Sequence, residues 1–112
     1  MKKTLSLYFF ILSATNIYSQ SNYIEYHQEA RCIESYILDS SYVKAVQLYK
    51  NLFSNYDFVF AEDCFRAAQT ATLINDSVSS FLFLERAVNQ GVTIERIVND
   101  SILIDLKRMK YW

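Results

Sequence analysis

Apolar side chains recur three or four positions apart along most of the chain, and short polar runs interrupt them. This spacing is typical of amphipathic α-helices, so the pattern predicts helices in succession. A first helix is predicted over residues 23–38, introduced by a capping box of Asn22 and Glu25. The run Asp39-Ser40-Ser41 ends this helix and offers N-cap oxygens to a second helix over residues 42–55. The stripes expected to be buried are Tyr26, Ala30, Ile33, Tyr36 and Ile37, and then Ala45, Leu48, Tyr49, Leu52, Phe53 and Tyr56.

A second pair of helices follows residues 55–57. The third helix ends near residue 73, and its small residues would let a neighbouring helix approach closely. Asn75-Asp76-Ser77 is expected to cap a fourth helix, and Gly91 to end it, because a C-terminal cap favours a residue that adopts positive φ. The stripes expected to be buried are Ala61, Cys64, Phe65, Ala68 and Ala71, and then Val78, Phe81, Leu82, Leu84, Ala87 and Val88.

The end of the chain predicts two short helices. Thr93 starts one that runs to about residue 98, and Asn99-Asp100-Ser101 opens another from residue 102 to about residue 110. The β-branched Ile102 and Ile104 leave a strand as the alternative there. Both Asn-x-Ser runs fit glycosylation acceptors as well as helix caps, and the cap interpretation is preferred. Connections of two to four residues make neighbouring helices antiparallel, so the predicted fold class is all-α, in antiparallel helical pairs.

The residues before the first helix have the features of a secretory signal peptide. Lys2 and Lys3 precede an apolar run over residues 5–14. That run is shorter than the ~20 residues that a membrane-spanning helix needs. The small Ser19 before Gln20 predicts a signal peptide over residues 1–19 and a helical domain over 20–112. The protein is therefore expected to be exported to the periplasm or beyond, with no membrane span after cleavage. An uncleaved anchor and a buried N-terminal helix are the alternatives.

Composition excludes several kinds of chemistry. The 112 residues include one Gly, no Pro, two Cys and one His, so they lack a glycine-rich phosphate loop and a Cys/His zinc site. They also lack the Gly-x-Ser-x-Gly and His-Glu-x-x-His motifs of hydrolases. The net charge is −1, and loss of the two leader lysines makes it more negative, which disfavours nucleic acid as a partner. We expect no cofactor, no metal and no catalytic site.

The two helical pairs resemble tetratricopeptide repeats. In the second pair Ala67 and Ala68 stand at the Leu-Gly pair of that pattern, and Ser80 and Leu84 at its A-x-x-x-F positions. The first pair has Tyr36 at the pattern's Tyr, and Ala45 and Tyr49 at A-x-x-x-F. The Trp of the pattern is replaced by Glu29 in the first pair and by Cys64 in the second. Residues 60–112 are similar to tetratricopeptide-like modules of exported Gram-negative bacterial proteins. The residues that carry this similarity are Ala87, Gly91, Asp100, Leu103, Leu106 and Trp112.

This resemblance implies a short solenoid with a first pair over 20–57, a second over 58–91 and terminal helices over 92–112. It also implies a concave face that binds an extended protein or peptide. In this register the face is lined by His27, Glu34, Glu62, Phe65, Gln69 and Thr72. The alternative is that two repeats curve too little to form a groove.

Cys32 and Cys64 would lie on the first helices of successive pairs. In an oxidising compartment they could form a disulfide worth about 3–4 kcal/mol, and the alternative is two unpaired thiols. The function expected from the sequence is an exported, non-catalytic scaffold for protein–protein interaction in the cell envelope. The alternatives are the N-terminal scaffold of a longer secreted enzyme and a truncated structural remnant.

Overall fold

The computed structural model describes residues 23–107. The predicted signal peptide, Asn22 of the capping box and residues 108–112 lie outside the described residues. Within them all regular structure is helical and no strand occurs, as the periodicity predicted. Helix α1 occupies residues 23–38, and the helices that follow it are α2 (Tyr42–Asn55), α3 (Ala61–Leu73), α4 (Ser77–Asn89), α5 (Ile94–Val98) and α6 (Ile104–Lys107).

Helices α1, α3 and α4 end in the same backbone turn. In α4 the Gly91 N–H bonds to the Val88 carbonyl and the Val92 N–H to the Ala87 carbonyl, the pattern of a Schellman motif. The residue of positive φ is Gly91 here, as predicted, and Ser40 and Asn75 in the other two turns. A Cβ added to Gly91 would meet no atom within 4 Å. Glycine is therefore favoured here by the backbone φ of 116°, which other residues rarely adopt, and not by a lack of space.

Side-chain caps start α4 and α5. The Asp76 carboxylate accepts a hydrogen bond from the Ser79 N–H, and the Thr93 hydroxyl accepts one from the Arg96 N–H, both at 3.2 Å. Both caps were predicted. The expected cap of α2 is wrong, because Ser41 makes no side-chain hydrogen bond to the first turn of that helix.

The predicted stripes of α1, α2 and α3 lie in the core or against it. Helix α3 is buried on almost every side, since Thr70 and Thr72 are buried besides its apolar stripe. Its many alanines keep the helix narrow enough for neighbours to pack around it. The buried residues of α3 are Asp63, Cys64, Phe65, Ala67, Ala68, Thr70, Ala71 and Thr72.

The predicted face of α4 is partly wrong. Val78 and Leu82 are 69 % and 60 % exposed, and Val88 is exposed as well, whereas Leu84 and Ala87 are buried as expected. Ser79, Ser80 and Phe83 complete the buried face instead. The Ser80 hydroxyl lies 3.0 Å from the Thr72 hydroxyl and donates to the Asp76 carbonyl, which satisfies its polar group where α4 packs closely on α3.

The end of the described chain is helical rather than extended. Helix α6 begins at Ile104, two positions later than predicted, because Asp100 first accepts hydrogen bonds from the backbone N–H groups of Ile102 and Leu103. Leu103 and Leu106 are fully buried. The short terminal helices therefore belong to the same core as the two pairs.

The helices that open each pair contact one another in succession, α1 with α3 and α3 with α5, while α2 packs on α3 and also contacts α4. Ring, ion-pair and hydrogen-bond contacts define these neighbours. They are Tyr26–Asp63 and Glu34–Arg66 between α1 and α3, Glu62–Arg96 between α3 and α5, Phe53–Phe83 between α2 and α4, and Thr72–Ser80 between α3 and α4.

Candidate functional site

Most residues of the predicted concave face hold neighbouring helices together. Glu34 forms an ion pair with Arg66, and Glu62 forms one with Arg96 through both carboxylate oxygens. The hydrogen bonds from Arg96 lower the pKa of Glu62, so this carboxylate stays charged further into acid than an ordinary glutamate.

Phe65 and its neighbours on α3 are covered by α5 and the residues after it. The Arg96 guanidinium lies 4.3 Å from the centre of the Phe65 ring, which is 5 % exposed. Gln69 donates a 2.7 Å hydrogen bond to Asp100 in the turn after α5, and the hydroxyl of the buried Thr72 lies 3.0 Å from that of Ser80 on α4. This part of α3 is therefore a contact between helices.

His27 is the exception among the predicted residues. It is exposed, and its ring centre lies 5.0 Å from that of Phe60 and 5.6 Å from that of Tyr26. The structure therefore places His27 beside an aromatic group and apart from the α3–α5 contact.

That group is an aromatic surface which the sequence analysis missed, here called the aromatic cluster and defined as Tyr23, His27, Phe58 and Phe60. Tyr23 and Phe58 are 38 % and 45 % exposed, and Phe60 is half-buried. The Phe58 ring centre lies 5.2 Å from that of Phe60 and 6.5 Å from that of Tyr23, in edge-to-face geometry.

The local backbone explains how the connection between α2 and α3 presents these rings. Tyr56 and Phe60, at the two ends of this connection, have extended φ and ψ. Val59 is fully buried, while Phe58 and Phe60 lie outside the core. The alternation of aromatic residues over 56–60 was the signal that could have revealed this surface.

Tyr26 anchors the cluster to a buried polar site between α1 and α3. Its hydroxyl donates a 2.8 Å hydrogen bond to Asp63 and accepts one of 3.2 Å from the Phe60 N–H. Burial raises the pKa of Tyr26 well above its ordinary value, so the phenol stays protonated and able to donate.

Tyr49 on α2 is fully buried, and its hydroxyl makes no hydrogen bond to the described residues. Burial raises its pKa, which the positive charge of Arg66 partly offsets. Such an unpaired hydroxyl costs stability in a packed core.

The two cysteines lie in different surroundings. Cys32 is exposed, Cys64 is buried, and both are free thiols. Burial raises the pKa of the Cys64 thiol to about 11, which disfavours the reactive thiolate.

Two shallow apolar grooves lie on the surface between neighbouring helices. One of about 350 Å³ lies between α4 and α5, and one of about 300 Å³ lies between α1 and α2. The first is lined by Phe81, Leu84, Glu85, Val88, Asn89, Ile94 and Ile97, and the second by Glu29, Cys32, Ile33, Leu48, Asn51, Leu52 and Asn55.

Within residues 23–107, no group of three or more His, Cys, Asp or Glu residues is arranged to hold a metal ion. None of the helices in the same range combines the length and hydropathy needed to cross a bilayer.

Comparison of the chain with protein-family models, with curated proteins and with solved structures found no match. The function is therefore argued from the chain's own geometry.

Proposed function

We propose that the protein is an exported, non-catalytic scaffold of the tetratricopeptide-like class that binds other proteins in the cell envelope. One observation carries the proposal: α1, α3 and α5 contact one another in succession while α2 lies beside α4. In solenoid proteins each repeat contacts only its neighbours in this way, and the resulting surfaces serve as binding platforms.

The exposed apolar side chains add support for a binding role. Val78 and Leu82 lie one turn apart on α4 and expose most of their surface. Ile94 on α5, which is 60 % exposed, lines the groove between α4 and α5 together with Val88. Exposed apolar groups that gather in patches are typical of surfaces that contact other proteins.

The export and non-catalytic parts of the proposal rest on the sequence. The lysines and apolar run before residue 19 support export, and the lack of hydrolase and phosphate-loop motifs supports a non-catalytic role. The intact mass of the protein recovered from producing cells tests export, because a chain that begins at Gln20 is the expected product.

Site-specific photo-crosslinking in producing cells tests protein binding. The photoreactive residue p-benzoylphenylalanine would replace Leu82, Ile94 or Phe58 in separate variants, with the exposed Asp39 as the control position. We expect the same crosslinked partner from at least one apolar position and none from Asp39. The purified partner should then bind the unlabelled protein in calorimetry.

Three results would overturn the proposal. They are equal crosslinking at all positions, no crosslinking at any of them, and turnover of a substrate by the purified protein.

A further inference from the structure

The groove between α4 and α5 presents apolar side chains at one end of the row formed by α1, α3 and α5. Phe81, Leu84 and Val88 of α4 line it together with Ile94 and Ile97 of α5, and its volume is about 350 Å³. In stacked helical repeats, a terminal element with a polar outer face covers the last pair. This groove is therefore the surface that such an element would cover.

The charge of the groove restricts what fits it. Glu85 is the one charged residue that lines the groove. Its side chain is exposed, and within residues 23–107 no lysine, arginine or histidine forms an ion pair with it. A segment that combines apolar side chains with positive charge therefore matches the groove.

The segment that follows α6 has this composition. Residues 108–112 read Arg-Met-Lys-Tyr-Trp, so three of the five side chains are large and apolar or aromatic, and the other two are positive. Aromatic side chains bury a large surface when they pack, and Trp112 is the single tryptophan of the chain.

The contacts made by the turn before α6 bring this segment close to the groove. Asp100, in the turn after α5, accepts a hydrogen bond from Gln69 on α3. The carbonyl of Ala68, one position before Gln69, accepts one from Ser80 on α4, and Phe81 of the groove follows Ser80. The turn after α5 therefore lies level with the Phe81 end of the groove. Helix α6 adds four residues, about 6 Å, and the five residues after it span at most about 17 Å.

Two other grooves match the segment less well. One of about 340 Å³ between α2 and α4 is lined by Lys50 and Arg86, whose charges repel those of the segment. The groove between α1 and α2 lies at the other end of the row, since α3 contacts both α1 and α5. Of these three grooves, the one between α4 and α5 alone combines an apolar lining, a negative charge and proximity to residue 108.

We propose that residues 108–112 fold back over the groove between α4 and α5 and place the Trp112 side chain in it. Arg108 and Lys110 then lie at the edge of the groove, where Glu85 supplies the opposite charge. Burial of the indole against apolar side chains is the favourable contribution that holds the segment.

The inference goes beyond the proposed function and does not rest on it, because it concerns a contact within one chain. It assigns the groove between α4 and α5 to the chain itself. The exposed Val78 and Leu82 of α4 stay available to a partner protein.

The fluorescence of the single tryptophan tests the inference directly. Excitation at wavelengths that tyrosine does not absorb reports on Trp112 alone. With the protein as purified from producing cells, we expect Trp112 to emit at shorter wavelength than in the urea-unfolded protein, and acrylamide to quench it less, because the groove shields the indole from water. Emission and quenching equal to those of the unfolded protein would overturn the inference.

Matched variants locate the contact. Ile94→Ser removes an apolar side chain from the groove and should lower the ratio of bound to unbound segment about fivefold, which moves the Trp112 emission toward that of the unfolded protein. Leu82→Ser is the control, because Leu82 is equally exposed, at 60 %, but lines the groove between α2 and α4. It should leave the Trp112 emission unchanged.

A second pair of variants tests the charge. Glu85→Gln should lower the same ratio about twofold, and raised salt should have a similar effect in the unsubstituted protein. Glu29→Gln, at an exposed glutamate of α1, should leave the ratio unchanged. Circular dichroism confirms that each variant is folded.

Two further results would overturn the inference. A shielded Trp112 whose emission is the same in Ile94→Ser as in the unsubstituted protein would place the indole at another surface. Emission that changes with protein concentration would identify a second copy of the chain as the source of the contact. The crosslinking at Leu82 tests the proposed function separately from all of these results.

Discussion

The Tyr26 hydroxyl donates a 2.8 Å hydrogen bond to the Asp63 carboxylate, and this contact joins α1 to α3. Tyr26 is fully buried and Asp63 is 8 % exposed. The same hydroxyl accepts a hydrogen bond from the Phe60 N–H, so one oxygen fixes the first helix against the start of the third. The contact also sets the position of the aromatic cluster, because Phe60 is one of its rings.

Tyr26→Phe should destabilise the fold by about 1.5–3 kcal/mol, because a buried carboxylate loses its donor and the Phe60 N–H loses its acceptor. Urea unfolding followed by circular dichroism measures the change. Tyr36→Phe, at a half-buried tyrosine of the same helix, is the control and should change stability by less than about 0.5 kcal/mol. Equal effects of the two substitutions would contradict the structural role of the Tyr26 hydroxyl.

Tyr49→Phe should not lower the free energy of unfolding as Tyr26→Phe does. The Tyr49 hydroxyl is buried without a hydrogen-bond partner among the described residues, so its removal relieves a desolvation cost and retains the ring. We expect stability to be unchanged or to rise by up to about 1 kcal/mol in urea unfolding. A loss comparable to that of Tyr26→Phe would show that the hydroxyl has a partner in solution.

Alkaline pH should destabilise the protein through its buried tyrosines. Burial raises the pKa of Tyr26 and Tyr49 above the ordinary 10.0, so above pH 10 the unfolded chain loses these protons before the folded one does. The stability they contribute is complete below pH 10 and falls as pH rises, by about 1.4 kcal/mol per pH unit for each phenol. In urea unfolding over this range, Tyr49→Phe should have a shallower slope, and an identical slope would contradict the assignment.

The two thiols should differ in reactivity toward iodoacetamide. Cys32 is exposed and should be alkylated in the native protein, whereas Cys64 is buried, with a pKa raised to about 11, and should react only in denaturant. Intact mass before and after denaturation counts the alkylated thiols. Protection of both thiols that is relieved only by a reductant would instead indicate the Cys32–Cys64 disulfide. In Cys32→Ser the alkylation of the native protein should be lost, which would identify Cys32 as the thiol that reacts before denaturation.

A pair of substitutions tests which face of α4 is buried. Phe83 is 6 % exposed and packs edge-to-face on Phe53, so Phe83→Ala should cost about 3–5 kcal/mol. Its neighbour Leu82 is 60 % exposed, and Leu82→Ala should cost less than about 1 kcal/mol. The shift of the urea unfolding midpoint measures the loss of stability in both variants, provided that the m-value is unchanged. A larger loss of stability in Leu82→Ala than in Phe83→Ala would show that Leu82 lies on the buried face, as the hydrophobic pattern predicted.

The comparison between sequence and structure is most instructive on α4. Helical spacing predicts Val78 and Leu82 as core residues, because they fall three or four positions from the other apolar residues of the predicted stripe. In the folded chain Ser80 takes the buried position, since its hydroxyl is satisfied by Asp76 and Thr72 and its small volume lets α3 approach. Hydrophobicity does not record whether a buried hydroxyl will also contact a polar group such as that of Thr72, which lies on another helix.

At the candidate site, too, the sequence pattern and the structure differ in which residues lie at the surface. The repeat register predicts six residues for a concave face. In the structure four of them, Glu34, Glu62, Phe65 and Thr72, contact a neighbouring helix, and Gln69 contacts Asp100 in the turn after α5. Only His27 lies at an exposed surface of aromatic rings. Helical periodicity does not predict that surface, because residues 56–60 connect two helices and their aromatic residues alternate with a period of two.

The sequence by itself determined the helical class, the bounds of α2 and the helix ends, because periodicity, cap residues and αL-tolerant residues such as Gly91 act over a few neighbouring positions. Only the tertiary structure decided which face of α4 is buried, which charged residues pair, and that Phe58 and Tyr23 meet at one surface. These features depend on contacts between different elements, such as that between Tyr26 and Asp63, and such contacts exist only once the helices pack.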